Sequence, residues 1–106
     1  MSLENYTAVA DEHELLPGQM KKIELDGRKL LLANAQGSFY VVDEMCSHED
    51  FSLYLGCIKD RKIKCSLHGS YFDLETGEPL DEPACEAIAT YPVVLQDGKV
   101  WTTTER

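Results

Sequence analysis

The sequence predicts an all-β fold, a strand-rich sandwich or barrel base that carries a loop-rich lobe. Three observations predict it. Short apolar-alternating runs recur with turn residues between them, no stretch sustains a helical period, and the alternation lapses in the middle of the chain, where the cysteines collect. At 106 residues the chain has the size of one domain, expected over residues 1–106.

The elements follow in order. Glu12 to Leu16 is at most a short turn of helix before Pro17-Gly18. Met20 to Leu25 and Arg28 to Ala33 alternate on either side of Asp26-Gly27, a pair suited to the positive backbone angles of a tight hairpin turn. Asn34-Ala35-Gln36-Gly37 is a second turn, and it leads into Ser38 to Val42, whose aromatic and β-branched residues suit a half-buried pleated strand. The arrangement repeats at the other end, with Ala87 to Gln96 and Lys99 to Thr104 around Asp97-Gly98, and Trp101 is expected to close the core. Residues 44–86 lie between these flanks and hold all four cysteines and two of the three histidines.

Charge narrows the functions. Nineteen carboxylates against ten Lys and Arg give a formal net charge of -9, which repels nucleic acid and anionic membrane surfaces and favours encounter with a basic protein face. No apolar run reaches the roughly 18 residues of a membrane span, and the first residues lack the basic and apolar regions of a signal peptide. A cytoplasmic location is expected, and a monomer is the default. In a reducing compartment, paired Cys and His are more often metal ligands than halves of disulfides.

Cys46-Ser47-His48 is followed, after sixteen residues, by Cys65-Ser66-Leu67-His68, so each of two short arms supplies one thiolate and one imidazole. Thiolates stabilise ferric iron and sulfide-bridged clusters. Neutral imidazoles remove two negative charges from the ligand set and raise the reduction potential relative to four cysteines. A single tetrahedral zinc accepts the same donors, although familiar zinc fingers usually take like ligands from each arm.

The pattern C-x-H, sixteen residues, C-x-x-H resembles the Rieske motif. The similarity extends to Pro83-Ala84-Cys85-Glu86-Ala87 and Tyr91-Pro92, as in the Rieske ferredoxins of bacterial aromatic-ring dioxygenase systems. The resemblance implies one [2Fe-2S] cluster, with Cys46 and Cys65 on the inner iron and His48 and His68 on the outer iron near solvent. It also implies a Rieske-type β-sandwich base with a cluster-binding lobe at about 44–73 and a shielding proline loop at 78–83. Respiratory-complex Rieske proteins add a disulfide between the ligand loops, but Phe51 occupies one of its two positions here, so that disulfide cannot form. High-potential members donate hydrogen bonds to the cluster from a serine and a tyrosine. Ser70 falls at the serine position, whereas Phe72 stands where the tyrosine would be. With Glu49 and Asp50 beside His48, the lower part of the roughly -150 to +300 mV Rieske range is expected.

By the same resemblance the chain passes single electrons from a flavoprotein ferredoxin reductase to a terminal aromatic-ring oxygenase and is not itself an enzyme. The alternative is a Rieske-like small subunit of another oxidoreductase such as nitrite reductase. Cys57 and Cys85 read as small buried side chains without catalytic duty, and His13, among Asp11, Glu12 and Glu14, as a solvated surface residue. Glu75, Glu78, Asp81, Glu82 and Glu86 read either as a hydrated loop or as a patch that docks a partner.

Overall fold

The computed structural model describes residues 4–45, 52–65, 71–80 and 87–105. Ten strands and one short 3-10 turn lie among them: β1 (Thr7–Asp11), β2 (Met20–Leu25), β3 (Arg28–Ala35), β4 (Ser38–Asp43), the 3-10 turn (Leu53–Leu55), β5 (Cys57–Lys59), β6 (Lys62–Lys64), β7 (Tyr71–Asp73), β8 (Thr90–Tyr91), β9 (Val93–Gln96) and β10 (Lys99–Thr102). They form three sheets, ordered β1-β10-β9, β2-β3-β4-β8 and β5-β6-β7, and every pairing is antiparallel.

The hairpins stand where the turn residues place them. Asp26 and Gly27 have φ of 52° and 75°, the left-handed angles of a tight two-residue turn, and β2 pairs with β3 from Leu25↔Arg28 to Met20↔Ala33. Gln36-Gly37 and Asp97-Gly98 repeat the device between β3 and β4 and between β9 and β10.

The structure differs from the sequence expectation in five places. The run from Ala87 to Gln96 is two strands, because Pro92 has no N–H to donate: β8 pairs with β4, and β9 joins β10 in the neighbouring sheet. β3 and β4 extend to Ala35 and Asp43. β10 stops at Thr102, short of the expected Thr104, whereas residues 12–16 keep to their expectation as a turn, the Glu14 N–H donating to the Asp11 carbonyl at 3.0 Å. Trp101 does not close the core. It is half-buried, with its indole N–H donating to the Gln96 carbonyl at 3.0 Å, and its neighbours Val100 and Thr102 are the buried ones. The fifth difference is the extra strands β1, β5, β6 and β7, the last three inside the segment that reads as loop.

β3 organises the packing. Its residues from Leu30 to Ala35 are buried whichever side they face, as the continuous apolar run Leu30-Leu31-Leu32-Ala33 allows. Leu30 and Leu32 pack with Ala10, Val41, Tyr91 and Val100. Leu31, Ala33 and Ala35 pack with Leu53, Ile63, Cys65, Phe72 and Leu74. One strand is therefore the wall between the core of the base and the core beneath the cysteine-bearing segment, and each leucine contributes about 1.5–3 kcal/mol by burial. Asn34, the buried polar residue of this strand, is satisfied on both sides: its amide donates to the Leu15 carbonyl at 2.9 Å, and its side-chain oxygen accepts from the Gly37 N–H at 2.9 Å.

Tyr91 pins β8 to β4, its hydroxyl donating to Asp43 Oδ1 at 2.8 Å. Burial above all, and then the Asp43 carboxylate, pushes the phenol above its ordinary 10.0, against a smaller opposing pull from Arg28. The folded chain thus holds this proton more tightly than the unfolded chain. Its contribution is complete below pH 10 and is lost as the pH rises through the folded value. Tyr91→Phe is expected to lower stability at neutral pH by about 1 kcal/mol and to flatten the fall in melting temperature above pH 10, which a series of thermal melts across alkaline pH measures.

Candidate metal centre

Two segments that carry one Cys and one His each are closed at their bases by antiparallel pairs. Met45 bridges Ser52 across residues 46–51, and Lys64 pairs with Tyr71 across residues 65–70. The first closure is reinforced by Glu44, a buried residue whose carboxylate accepts from the Ser52 hydroxyl at 2.5 Å and whose carbonyl accepts from the Leu53 N–H at 2.7 Å. Ser52 also caps the 3-10 turn by accepting from the Tyr54 N–H at 3.2 Å.

The two closures lie against each other. Gly56, just after the 3-10 turn, packs so tightly on β6 that a Cβ there would sit 1.7 Å from the Lys64 carbonyl oxygen. Leu53 and Cys65 share one buried cluster. Pro79 and Leu80 are tied to the same place, Pro79 bridging Phe72 and the Leu80 N–H donating to the Tyr71 carbonyl at 2.8 Å.

Of the four expected ligands, Cys65 lies within the described residues, at 0% exposure and as a free thiol. Cys46, His48 and His68 lie outside the described residues, as do Glu49, Asp50, Phe51, Ser70, Asp81, Glu82, Cys85 and Glu86. Phe72 is fully buried in the cluster that holds Cys65, so a tyrosine there would bring its hydroxyl into that core. Among the described residues, no group of three His, Cys, Asp or Glu gathers as a metal site.

Cys57 corrects the sequence expectation. It is exposed rather than buried, because β5 is a short edge strand whose inward side chain is Ile58. His13 is 92% exposed, with Nε2 3.5 Å from Glu12, as a solvated surface residue should be. Of the acidic residues read as a possible patch, Glu75 is paired with Arg61 at 3.3 Å. Glu44 and Gly56 are the positioning residues that sequence reasoning missed. A glycine with no turn partner inside a ligand-bearing segment was the available signal for Gly56, whereas nothing in the sequence marks Glu44.

A buried thiol at the root of one segment, beside the root of a second whose sequence holds another Cys and His, fits an iron-sulfur cluster better than a lone zinc. The thiolates would supply soft sulfur donors to iron, the apolar residues around Cys65 exclude water, and the sequence holds no like-ligand arm. No helix among the described residues is long and apolar enough to cross a membrane.

Comparison with known proteins agrees. The family model for the Rieske [2Fe-2S] domain matches residues 5–92. The ferredoxin component of biphenyl 2,3-dioxygenase from Rhodococcus jostii is 32% identical, over 89% of this chain and 88% of that protein. The ferredoxin subunit of 3-phenylpropionate/cinnamic acid dioxygenase from Photorhabdus laumondii is 36% identical, over 90% of each. Among solved structures, the ferredoxin of carbazole 1,9a-dioxygenase from Nocardioides aromaticivorans superimposes with a TM-score of 0.89 at 26% identity, covering 94% of this chain and 98% of that one. The paired loop roots, the buried thiol and these likenesses agree that the chain belongs to the Rieske [2Fe-2S] domain family, whose members carry one [2Fe-2S] cluster.

Proposed function

We propose that this chain is a one-electron carrier, the ferredoxin component of an aromatic-ring oxygenase system, which accepts electrons from a flavoprotein reductase and delivers them to a terminal oxygenase. The observation that carries the reading is the pair of closed loop roots meeting at the buried Cys65, together with relatives named as ferredoxin components over nearly their whole length. Residues 1–106 act as one domain, with the lobe at about 44–73 and the proline loop at 78–83. Cys46 and Cys65 hold one iron, and His48 and His68 the other. The bound cluster supplies reversible one-electron chemistry. The chain's own part is to hold the two arms together through the Met45–Ser52 and Lys64–Tyr71 closures, to keep water from Cys65, and to offer a surface for partners. The protein works in the cytoplasm as a monomer.

The test is an electron paramagnetic resonance spectrum of the dithionite-reduced, anaerobically purified protein, taken with its iron and sulfide content. A Rieske-type signal, with an average g value well below that of all-cysteine clusters and two irons per chain, is expected. Zinc, or no metal, would overturn the carrier reading and point to a structural subunit of another oxidoreductase. Replacing an imidazole by a thiolate tests the ligand assignment. His68→Cys is expected to retain a cluster and to lower its potential by about 100 mV or more, since all-cysteine ferredoxins lie near -400 mV. Voltammetry measures the shift, and an unchanged potential would remove His68 from the ligand set.

A further inference from the structure

The outer face of the β5-β6-β7 sheet runs against the charge of the chain. Paired residues of an antiparallel sheet share a side, so the registers Cys57↔Lys64↔Tyr71 and Lys59↔Lys62↔Asp73 put these six on one face, opposite Ile58, Ile63 and Phe72 in the core. Lys62 and Lys64 flank the ring of Tyr71, their Nζ atoms 5.4 and 5.9 Å from its centroid. Such contacts hold ammonium groups near an aromatic face without neutralising them.

Among the described residues, carboxylates do not quench this face. Four of the chain's ten Lys and Arg fall within residues 59–64. Arg61 is taken by Glu75, but Lys59, Lys62 and Lys64 form no ion pair among the described residues. Asp73, the acid on the face, is occupied by its own turn, its Oδ1 accepting from the Glu75 and Thr76 N–H groups at 2.8 and 3.2 Å. The face also borders the metal centre, since Lys64 precedes Cys65 and Tyr71 closes the same loop.

We propose that this face docks the carboxylate-bearing surface of a redox partner protein, with Lys59, Lys62 and Lys64 meeting Asp or Glu side chains around a central Tyr71. The proposal rests on the electron-carrier reading. The net charge of -9 does not oppose it. At physiological ionic strength the screening length is about 8 Å, so the charges within the contact decide docking while distant carboxylates are muted. A long polyanion such as nucleic acid, which extends past the face onto the acidic remainder, is disfavoured. A compact acidic protein surface is not. Tyrosine at the middle of a charged rim is a common composition of such contacts.

Two measurements test it on the intact protein. In the first, the isotope-labelled protein is titrated with decaglutamate at low salt while amide chemical shifts are followed. Shifts confined to β5 through β7, abolished by salt and absent from Lys59→Glu/Lys62→Glu/Lys64→Glu, are expected. The neutral triple Gln variant gives the same loss if the Glu variant folds poorly. Shifts scattered over the molecule, none at all, or preferential binding of oligothymidylate would overturn the assignment. In the second, the reduced protein is oxidised by ferricyanide and by hexaammineruthenium(III). Ferricyanide oxidation should slow as salt is added and should be about tenfold slower in the triple Glu variant at low salt. If salt instead speeds ferricyanide oxidation of the wild type, as net charge alone demands, the basic face does not govern electron transfer. A preparation without iron defeats the carrier reading, and the titration then decides the face by itself.

Discussion

Cys65→Ser is expected to lower the iron content at least about tenfold and to loosen the lobe while leaving the base folded. The thiol is fully buried among Leu53, Ile63, Phe72 and Leu74, so the substitution removes the proposed ligand and leaves a hydroxyl in an apolar cluster. An unpaired buried hydroxyl alone costs about 1–3 kcal/mol. The larger loss is the metal, because binding free energy in such sites is folding free energy for the segments that carry the ligands. The base persists because β3 separates the cluster around Cys65 from the one formed by Leu30, Leu32, Val41 and Val100. Iron analysis with far-ultraviolet circular dichroism checks both halves of the expectation. Cys57→Ser is the control: this exposed thiol lies outside the proposed ligand set, and its replacement should leave the iron content unchanged. Full iron in Cys65→Ser would exclude Cys65 as a ligand.

Gly56→Ala should be nearly as damaging, although it touches no ligand. The added methyl would sit 1.7 Å from the Lys64 carbonyl oxygen and 3.3 Å from that of Leu53, and both obstacles are backbone, so no rotamer change relieves them. Either the turn at Leu53–Leu55 or the end of β6 must move, and the roots of the two ligand loops then separate. Overpacking of this kind costs about 3 kcal/mol at the upper end of its usual range, or about 12 °C or more in melting temperature for a domain of this size. Thermal melting and iron content together test the point. A variant that melts like the wild type with two irons would mean that the close approach does not set the spacing of the arms.

The base was legible because its turns and its strand pattern agree. Asp26-Gly27, Gln36-Gly37 and Asp97-Gly98 each specify a two-residue hairpin, and each stands between paired strands. Tertiary context decided what local pattern could not. The leucine run of β3 carries no alternation to show which residues face which core, and Thr7–Asp11 becomes a strand through pairing with β10. Cys57–Lys59 and Lys62–Lys64 are too short to stand out before Tyr71–Asp73 pairs beside them. At the metal centre, the spacing of Cys and His suggests the ligand set but not its mechanical support. The Ser52 hydroxyl on Glu44 and the contact of Gly56 with Lys64 join residues whose relation exists only after folding.

The leucine triplet of β3 bears on how the molecule keeps its strands aligned. Sliding β3 by one residue would exchange the side chains offered to the two cores, and in most sheets polar residues would then be driven inward. Here Leu30, Leu31 and Leu32 would replace one another with little change in chemistry, so hydrophobic patterning is a poor guard against the slip. Alignment falls instead to features at the ends of the strand: the left-handed turns at Asp26-Gly27 and Gln36-Gly37, and the Asn34 amide, which reaches its partner at Leu15 only in the observed frame.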